Sequence, residues 1–349
     1  MLIIASTAVT REILASCAVA LALVSARRWA SATITIITSM SSSYIDAALQ
    51  REIDARILRV VVTTGNDRSR DSAEHAEALS IKLNEYGRGV CAIWAFRYGG
   101  SKPLSLTKML KEHAAAAVLV SDGSGTHLQL GCDGKAEFRL HGGLGVLRLR
   151  NVLGGGEDAL GSVCGLREGD VFVDATAGQC QDALVAAAAV GVSGMVIAFE
   201  ASPLLWAVTS SRPVSTGDAD VDRMLNERVE VRLGEAAELL RRMPDRSADV
   251  IYFDPMWQVP SKASPSFSVL RKLAHNGRLS PEAIREAHRV ARRAVVVMDQ
   301  PGGEELERLG LPVVTCGQRK RFGVLDCSVP NASSDDGRCG VRREVESAA

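Results

Sequence analysis

Val171-Phe172-Val173-Asp174-Ala175-Thr176-Ala177-Gly178-Gln179-Cys180-Gln181-Asp182 decides the fold. A short apolar run ends on an acid, enters a turn of small residues, and continues into a helical pattern from near Gln179. Small residues let a backbone approach a ligand closely, and the first turn of a helix presents unpaired N–H groups. The unit recurs downstream. Val171–Asp174, Met195–Glu200, Val229–Leu233 and Val250–Asp254 read as four strands, and Ala294–Met298, Val313–Thr315 and Phe322–Leu325 supply three more. Helices fill the intervals, as at Ser280–Arg292: Ser280 caps, Pro281 takes the first helical position, and Ala283, Ile284, Ala287, Val290 and Ala291 form an apolar face. This alternation predicts an α/β protein whose Rossmann-like, seven-stranded, largely parallel sheet is covered on both faces.

Upstream the same grammar is looser. Leu58–Thr63, Val90–Phe96 and Ala117–Ser121 read as strands, with helices over Ser72–Tyr86 and Leu104–Ala115. His127–Leu130 and Ala136–His141 are alternating segments split by Asp133-Gly134, a hairpin signal. The organisation expected is an N-terminal segment (1–45), a smaller N-terminal α/β domain (46–153), the Rossmann-like domain (154–327) and a polar tail (328–349) that reads as disordered.

Composition bounds the function classes. Of 349 residues, 46% are hydrophobic and 23% charged, so a packed core is expected. The 41 basic and 41 acidic side chains cancel, which excludes a global field drawing the protein onto nucleic acid and leaves only local patches. Aromatic residues at 4% argue against an extended base-stacking platform. The eight cysteines form no Cys-x-x-Cys pair, so neither structural zinc nor a disulfide framework is expected, and a reducing, cytoplasmic setting fits. Near the N-terminus, the apolar run Ile13–Ser25 is shorter than the roughly 20 residues a membrane span needs, so no membrane insertion is expected. Its charges do not match a secretory signal. The segment reads either as an organellar transit peptide or as an upstream extension ahead of Met40.

In open α/β sheets, ligands bind beyond the carboxyl ends of the strands. Four of these strands end at or just before an acid: Asp174, Glu200, Glu235 after Gly234, and Asp254. The first turn has one glycine, Gly178, where a pyrophosphate site wants three, and it carries Asp174 and Asp182 beside Thr176. Paired carboxylates repel a diphosphate and suit a ligand bearing an ammonium and a sulfonium, which favours S-adenosylmethionine over a nicotinamide dinucleotide. Glu200 follows Gly178 by 22 positions, near the roughly 20 expected of an acid that accepts from a ribose diol. Glu235 fits equally as a neighbour of the adenine or as a helix cap.

Tyr252-Phe253-Asp254-Pro255-Met256-Trp257 carries the chemistry. An exocyclic amine on a base is a poor nucleophile because its lone pair is delocalised into the ring. A carboxylate (Asp254) and a backbone carbonyl (Pro255) can accept its two N–H bonds and favour a pyramidal nitrogen. Trp257 can stack on the base face. Catalysis of this kind works by positioning and electrostatics.

These stretches resemble the bacterial small-subunit rRNA guanine-N2 methyltransferases, and still more their uncharacterised class I methyltransferase relatives. The likeness rests on Asp-Ala-Thr-Ala-Gly at Asp174–Gly178, Asp182-Ala-Leu, Asp-Pro-Met-Trp at Asp254–Trp257, Pro260–Ser266 and Leu279–Ala283. It extends to Ser105–Leu110 and to Phe138–Arg150, and so spans roughly Leu58 to Leu325. The resemblance implies cofactor contacts near Asp174, Gly178, Asp182 and Glu200, with the substrate amine at Asp254 and Pro255. It also implies RNA, in rRNA or a ribosomal particle, as partner. Lys262, Arg271, Lys272, Arg319, Lys320 and Arg321 are the candidate RNA contacts, with Arg148 and Arg150 at the domain join. One departure stands out: Cys180 occupies a position where the family usually has a second glycine. Its side chain either crowds the methionine end of the cofactor or points into the sheet. Two rival readings follow: a methyltransferase for a small molecule or protein, and a non-catalytic RNA-binding module whose cofactor site Cys180 has closed.

Overall fold

The computed structural model describes residues 57–66, 69–98, 102–130, 136–140, 143–211, 217–255, 278–316 and 320–328. The expected N-terminal segment and polar tail, the Asp133-Gly134 hairpin, Met256, Trp257, Lys262, Arg271, Lys272 and Arg319 lie outside the described residues. Every element below belongs to one compact unit that begins at Leu58.

The first sheet is built from β1 (Leu58–Thr64), β2 (Val90–Trp94), β3 (Ala117–Asp122), β4 (Gly125–Leu130) and β5 (Ala136–Phe138), in the order β2-β1-β3-β4-β5. The first three strands run parallel and the last two antiparallel. Helix α1 (Arg70–Tyr86) crosses between β1 and β2, capped by the Ser69 hydroxyl and closed by Gly87 in the left-handed region. Its Ala76, Leu79 and Leu83 are buried at helical spacing. Helix α2 (Leu106–Glu112) links β2 to β3 and is shorter than the expected Leu104–Ala115. The structure adds a hairpin not foreseen in the sequence: β3 and β4 are joined by Gly123-Ser124, with Asp122 Oδ1 accepting from the Ser124 backbone N–H at 2.9 Å.

Helices α3 (Gly143–Leu153) and α4 (Ala159–Cys164) lead into the second sheet. There β6 (Val171–Asp174), α5 (Gln181–Ala189), β7 (Met195–Glu200), α6 (Pro203–Ser210) and α7 (Ala219–Arg228) precede β8 (Val229–Leu233). Then come α8 (Ala236–Arg241), β9 (Ala248–Phe253), α9 (Pro281–Val290), β10 (Ala291–Asp299), α10 (Glu305–Arg308), β11 (Val313–Cys316) and β12 (Lys320–Asp326). The strand order is β11-β12-β10-β9-β6-β7-β8, with the run from β10 to β8 parallel and β12 antiparallel to both its neighbours. This is the Rossmann-like α/β arrangement expected. Strands β10 and β12 are longer than the sequence suggests because they pair with each other from Ala294↔Asp326 to Asp299↔Arg321. Lys320 and Arg321 therefore belong to the strand, not to the turn before it.

Alternation along the strands covers both faces. Phe172, Val196, Ala198, Val250 and Tyr252 are buried with Ala183–Ala187 of α5, whose small side chains suit close approach to the sheet. Val173, Ile197, Phe199, Ile251 and Phe253 are buried in a second cluster that includes Leu240 of α8 and Ala283, Ala287 and Val290 of α9. The Ser280 hydroxyl accepts from the Ala283 N–H at 3.1 Å, so the cap read from the sequence is the cap in the structure.

Candidate active site

The order of chain connection reverses between β6 and β9. Strand β6 leads outward through β7 to β8, whereas β9 leads through β10 to the other edge. Such a switch point leaves a crevice beyond the strand ends, because the two connecting segments diverge. The residues ending β6, β7 and β9 are Asp174, Glu200 and Phe253 followed by Asp254.

Hydrogen bonds tie these ends together. Asp174 Oδ1 accepts from the Thr176 N–H at 3.1 Å, folding the turn over the end of β6. The Thr176 hydroxyl oxygen accepts from the Asp254 N–H at 2.6 Å, so the turns after β6 and β9 are joined across the switch point. The Ala177 N–H donates to the Phe199 carbonyl at 2.8 Å, and the Gly178 N–H to Glu200 Oε2 at 2.9 Å. Glu200 Oε1 accepts from the Ser202 N–H at 2.7 Å. Each Glu200 oxygen thus holds at least one backbone donor, with a carboxylate's capacity for more.

Gly178 has φ +51°, a left-handed conformation that favours glycine. Among the described residues, a Cβ built there would meet only the Thr176 carbonyl oxygen, at 3.9 Å, so these residues leave one side of the turn open to a ligand. Beside it, Gln179 Oε1 is buried and has no hydrogen-bond partner among the described residues, an acceptor suited to a donor-bearing ligand.

The electrostatics follow from burial. Asp174 is 1% exposed, and burial pushes its carboxyl well above the usual range, reinforced by Asp182 and then Asp254 and Glu200. Glu200, 5% exposed, is pushed up to about 7 by burial, against the opposing effect of its backbone donors. A buried group of acids with raised proton affinity suits a cationic ligand that also offers hydroxyls.

The other sequence-predicted residues are placed as follows. Asp182 stands in the first turn of α5, where Oδ1 accepts from Arg148 Nη1 at 2.6 Å and Oδ2 lies 3.5 Å from the Tyr252 hydroxyl. Glu235 occupies the N-cap position of α8, is exposed, and makes no side-chain capping bond. Pro255 is half-buried directly after Asp254. Cys180 has φ +58° and is 0% exposed within the hydrophobic cluster behind β6. Of the two placements the sequence allowed, its burial within that cluster accords with the one packed toward the sheet.

Three arginines considered for RNA are engaged internally. Arg148 holds Asp158 and Asp182, Arg150 pairs with Asp218 at 2.5 Å, and Arg321 donates to the Gly303 carbonyl and to Glu307. Sequence reasoning assigned no carboxylate partner to Arg148, because Asp158 and Asp182 stand 10 and 34 residues away.

Residues 141–326 match a family model described as "Putative SAM-dependent methyltransferase". Over 274 residues, 77% of this chain and 100% of the relative, the sequence is 30% identical to the uncharacterized protein YpiP of Bacillus subtilis (strain 168). Over 271 residues, 74% of this chain and 94% of the relative, it is 28% identical to the ribosomal RNA small subunit methyltransferase J of Pseudomonas syringae pv. syringae (strain B728a). Among solved structures, the SAM-dependent methyltransferase NGO1261 of Neisseria gonorrhoeae is similar with TM-score 0.49 and 18% identity, over 79% of this chain and 97% of that one. With its Rossmann-like sheet and acid-lined switch point, the chain belongs to the family of S-adenosylmethionine-dependent methyltransferases.

Proposed function

We propose that the protein transfers a methyl group from S-adenosylmethionine to an exocyclic base amine, with guanine N2 in rRNA as the substrate. The observation that carries this reading is the 2.6 Å bond from the Asp254 N–H to the Thr176 hydroxyl. It fixes the Asp254-Pro255 turn against the turn that bears Gly178. The similarity to ribosomal RNA small subunit methyltransferase J supports the choice of RNA.

The residues present fit the cofactor. Asp174 and Asp182 would face its cationic methionine end and Glu200 would accept from its ribose hydroxyls; among the described residues, nothing crowds Gly178 on its side of the turn and Gln179 Oε1 is an acceptor without a partner. Glu235, exposed at the rim, would border the adenine. Bound there, S-adenosylmethionine supplies an electrophilic methyl on a sulfonium.

The chain's own work is orientation. The Asp254 carboxylate and the Pro255 carbonyl accept the two amine N–H bonds, which draws the nitrogen lone pair out of conjugation and aims it. Proline has no N–H to compete for these acceptors. Trp257 stacks on the base. A neutral amine needs no strong base before transfer, because its proton can leave afterwards. Lys262, Arg271, Lys272, Arg319 and Lys320 would meet phosphates, screened by salt as such contacts are.

The test is transfer of tritiated methyl to rRNA by the wild type and by Asp254→Ala, with nucleoside mass spectrometry of rRNA from a deletion strain. Loss of one methylated guanine on deletion is the expected result. Survival of every rRNA modification would exclude rRNA as the substrate.

A further inference from the structure

We infer that Arg148 is a positioning residue for cofactor binding, acting through Asp182 from outside the strand-end turns. Its guanidinium uses all three arms. Nε and Nη2 donate to Asp158 Oδ2 and Oδ1 at 2.9 and 2.8 Å, and Nη1 donates to Asp182 Oδ1 at 2.6 Å. The three side chains are 23%, 11% and 18% exposed, so the network is largely withdrawn from water. Asp158 is itself fixed, since it caps α4 by accepting from the Leu160 N–H at 3.0 Å. The fork is therefore anchored at one end and directs Asp182 at the other, a geometry that a planar guanidinium provides and an ammonium does not.

Two consequences reach the site. With Oδ1 bound, Asp182 is held so that Oδ2 lies beside Tyr252, two residues before Asp254 on β9. And Arg148 supplies a fixed cation next to carboxylates that otherwise repel: Asp182 raises the proton affinity of Asp174, as do Asp254 and Glu200. Without the guanidinium, Asp182 would lose the donor that fixes Oδ1 and would be free to rotate away from the strand ends. Arg148 comes from α3, a helix ahead of the first strand of the sheet, so cofactor binding draws on a segment that carries none of the strand-end acids.

The inference rests on Asp182 facing the methionine end of the cofactor, and a double-mutant cycle separates the two claims. The measurement is calorimetric affinity for S-adenosylmethionine, with melting temperature recorded for each full-length variant. Asp182→Asn is expected to weaken binding about tenfold. An unchanged affinity would overturn the role of Asp182 and with it the inference. Arg148→Met is expected to weaken binding similarly in the wild type and by less than twofold in the Asp182→Asn background. Equal losses in both backgrounds would show that Arg148 does not act through Asp182, whatever its effect on melting. Arg148→Lys keeps the charge and folds more safely; it is expected to recover part of the loss, and wild-type affinity in this variant would show that the fork is unnecessary.

Discussion

Thr176 and Asp254 are 78 residues apart in sequence, and the hydroxyl of the first accepts the backbone N–H of the second at 2.6 Å. The bond holds the proposed substrate turn in register with the proposed cofactor turn. Thr176→Val keeps the shape and removes the acceptor, stranding a part-buried N–H. That costs about 1–3 kcal/mol. The expected outcome is a lower melting temperature together with a kcat reduced more than tenfold, and recovery of both in Thr176→Ser. If Thr176→Val melts lower and yet turns over at the wild-type rate, the bond is structural only.

Asp254 should matter to turnover more than to cofactor affinity, since it stands on the proposed substrate side of that bond. Loss of one aimed acceptor at a reacting group typically costs on the order of 10²–10³ in kcat. Asp254→Ala is expected to show a loss of that size, with affinity for S-adenosylmethionine within about threefold of wild type. A matching collapse of cofactor affinity would place Asp254 in the cofactor site instead.

How much of this was legible in the sequence depends on how local each feature is. Asp174, Glu200 and Asp254 could be found because each follows a β-branched or aromatic strand, and chain order alone carries them to one sheet edge. The Ser280 cap was equally readable, being settled within four residues. The β3–β4 hairpin is written in Asp122-Gly123-Ser124-Gly125, a turn signal of the same Asp-Gly kind as the later Asp133-Gly134. The Arg148 network could not be read. Its partners come from α3, the segment before α4 and α5, and only packing brings them together. Nor could the orientation of Cys180, since a small side chain in a glycine-like turn can face either way until the helix behind it is placed.

Glu200 gives a pH signature. Its folded-state pKa, about 7, lies above the ordinary glutamate value of 4.5 from which burial raises it. Between those values the folded state holds a proton that the unfolded state has released, so this residue's contribution to stability is present below the unfolded pKa and declines as pH rises toward 7. In the proposed site, ribose hydroxyls would donate to the ionised carboxylate, so cofactor binding should favour the charged form. Affinity for S-adenosylmethionine is then expected to rise through pH 7 with proton release on binding, measurable by calorimetry in buffers of different ionisation enthalpy. Glu200→Gln should flatten the stability profile between pH 5 and pH 7 and weaken binding. A wild-type affinity flat across neutrality would remove Glu200 from the ribose contact.

Cys180 sets two opposing terms against each other. At φ +58° a non-glycine residue costs about 1–2 kcal/mol relative to glycine, because Cβ crowds the following carbonyl. Its side chain is 0% exposed and fills core space, and removing a buried group of that size costs a comparable amount, about 1 kcal/mol or somewhat more. Cys180→Gly is therefore expected to shift stability by less than about 1 kcal/mol in either direction, by denaturant melts. Because Cys180 is fully buried in the hydrophobic cluster, cofactor affinity should stay within twofold. A tenfold gain in affinity on substitution would mean that the thiol does crowd the ligand, and that this chain binds its cofactor weakly for that reason.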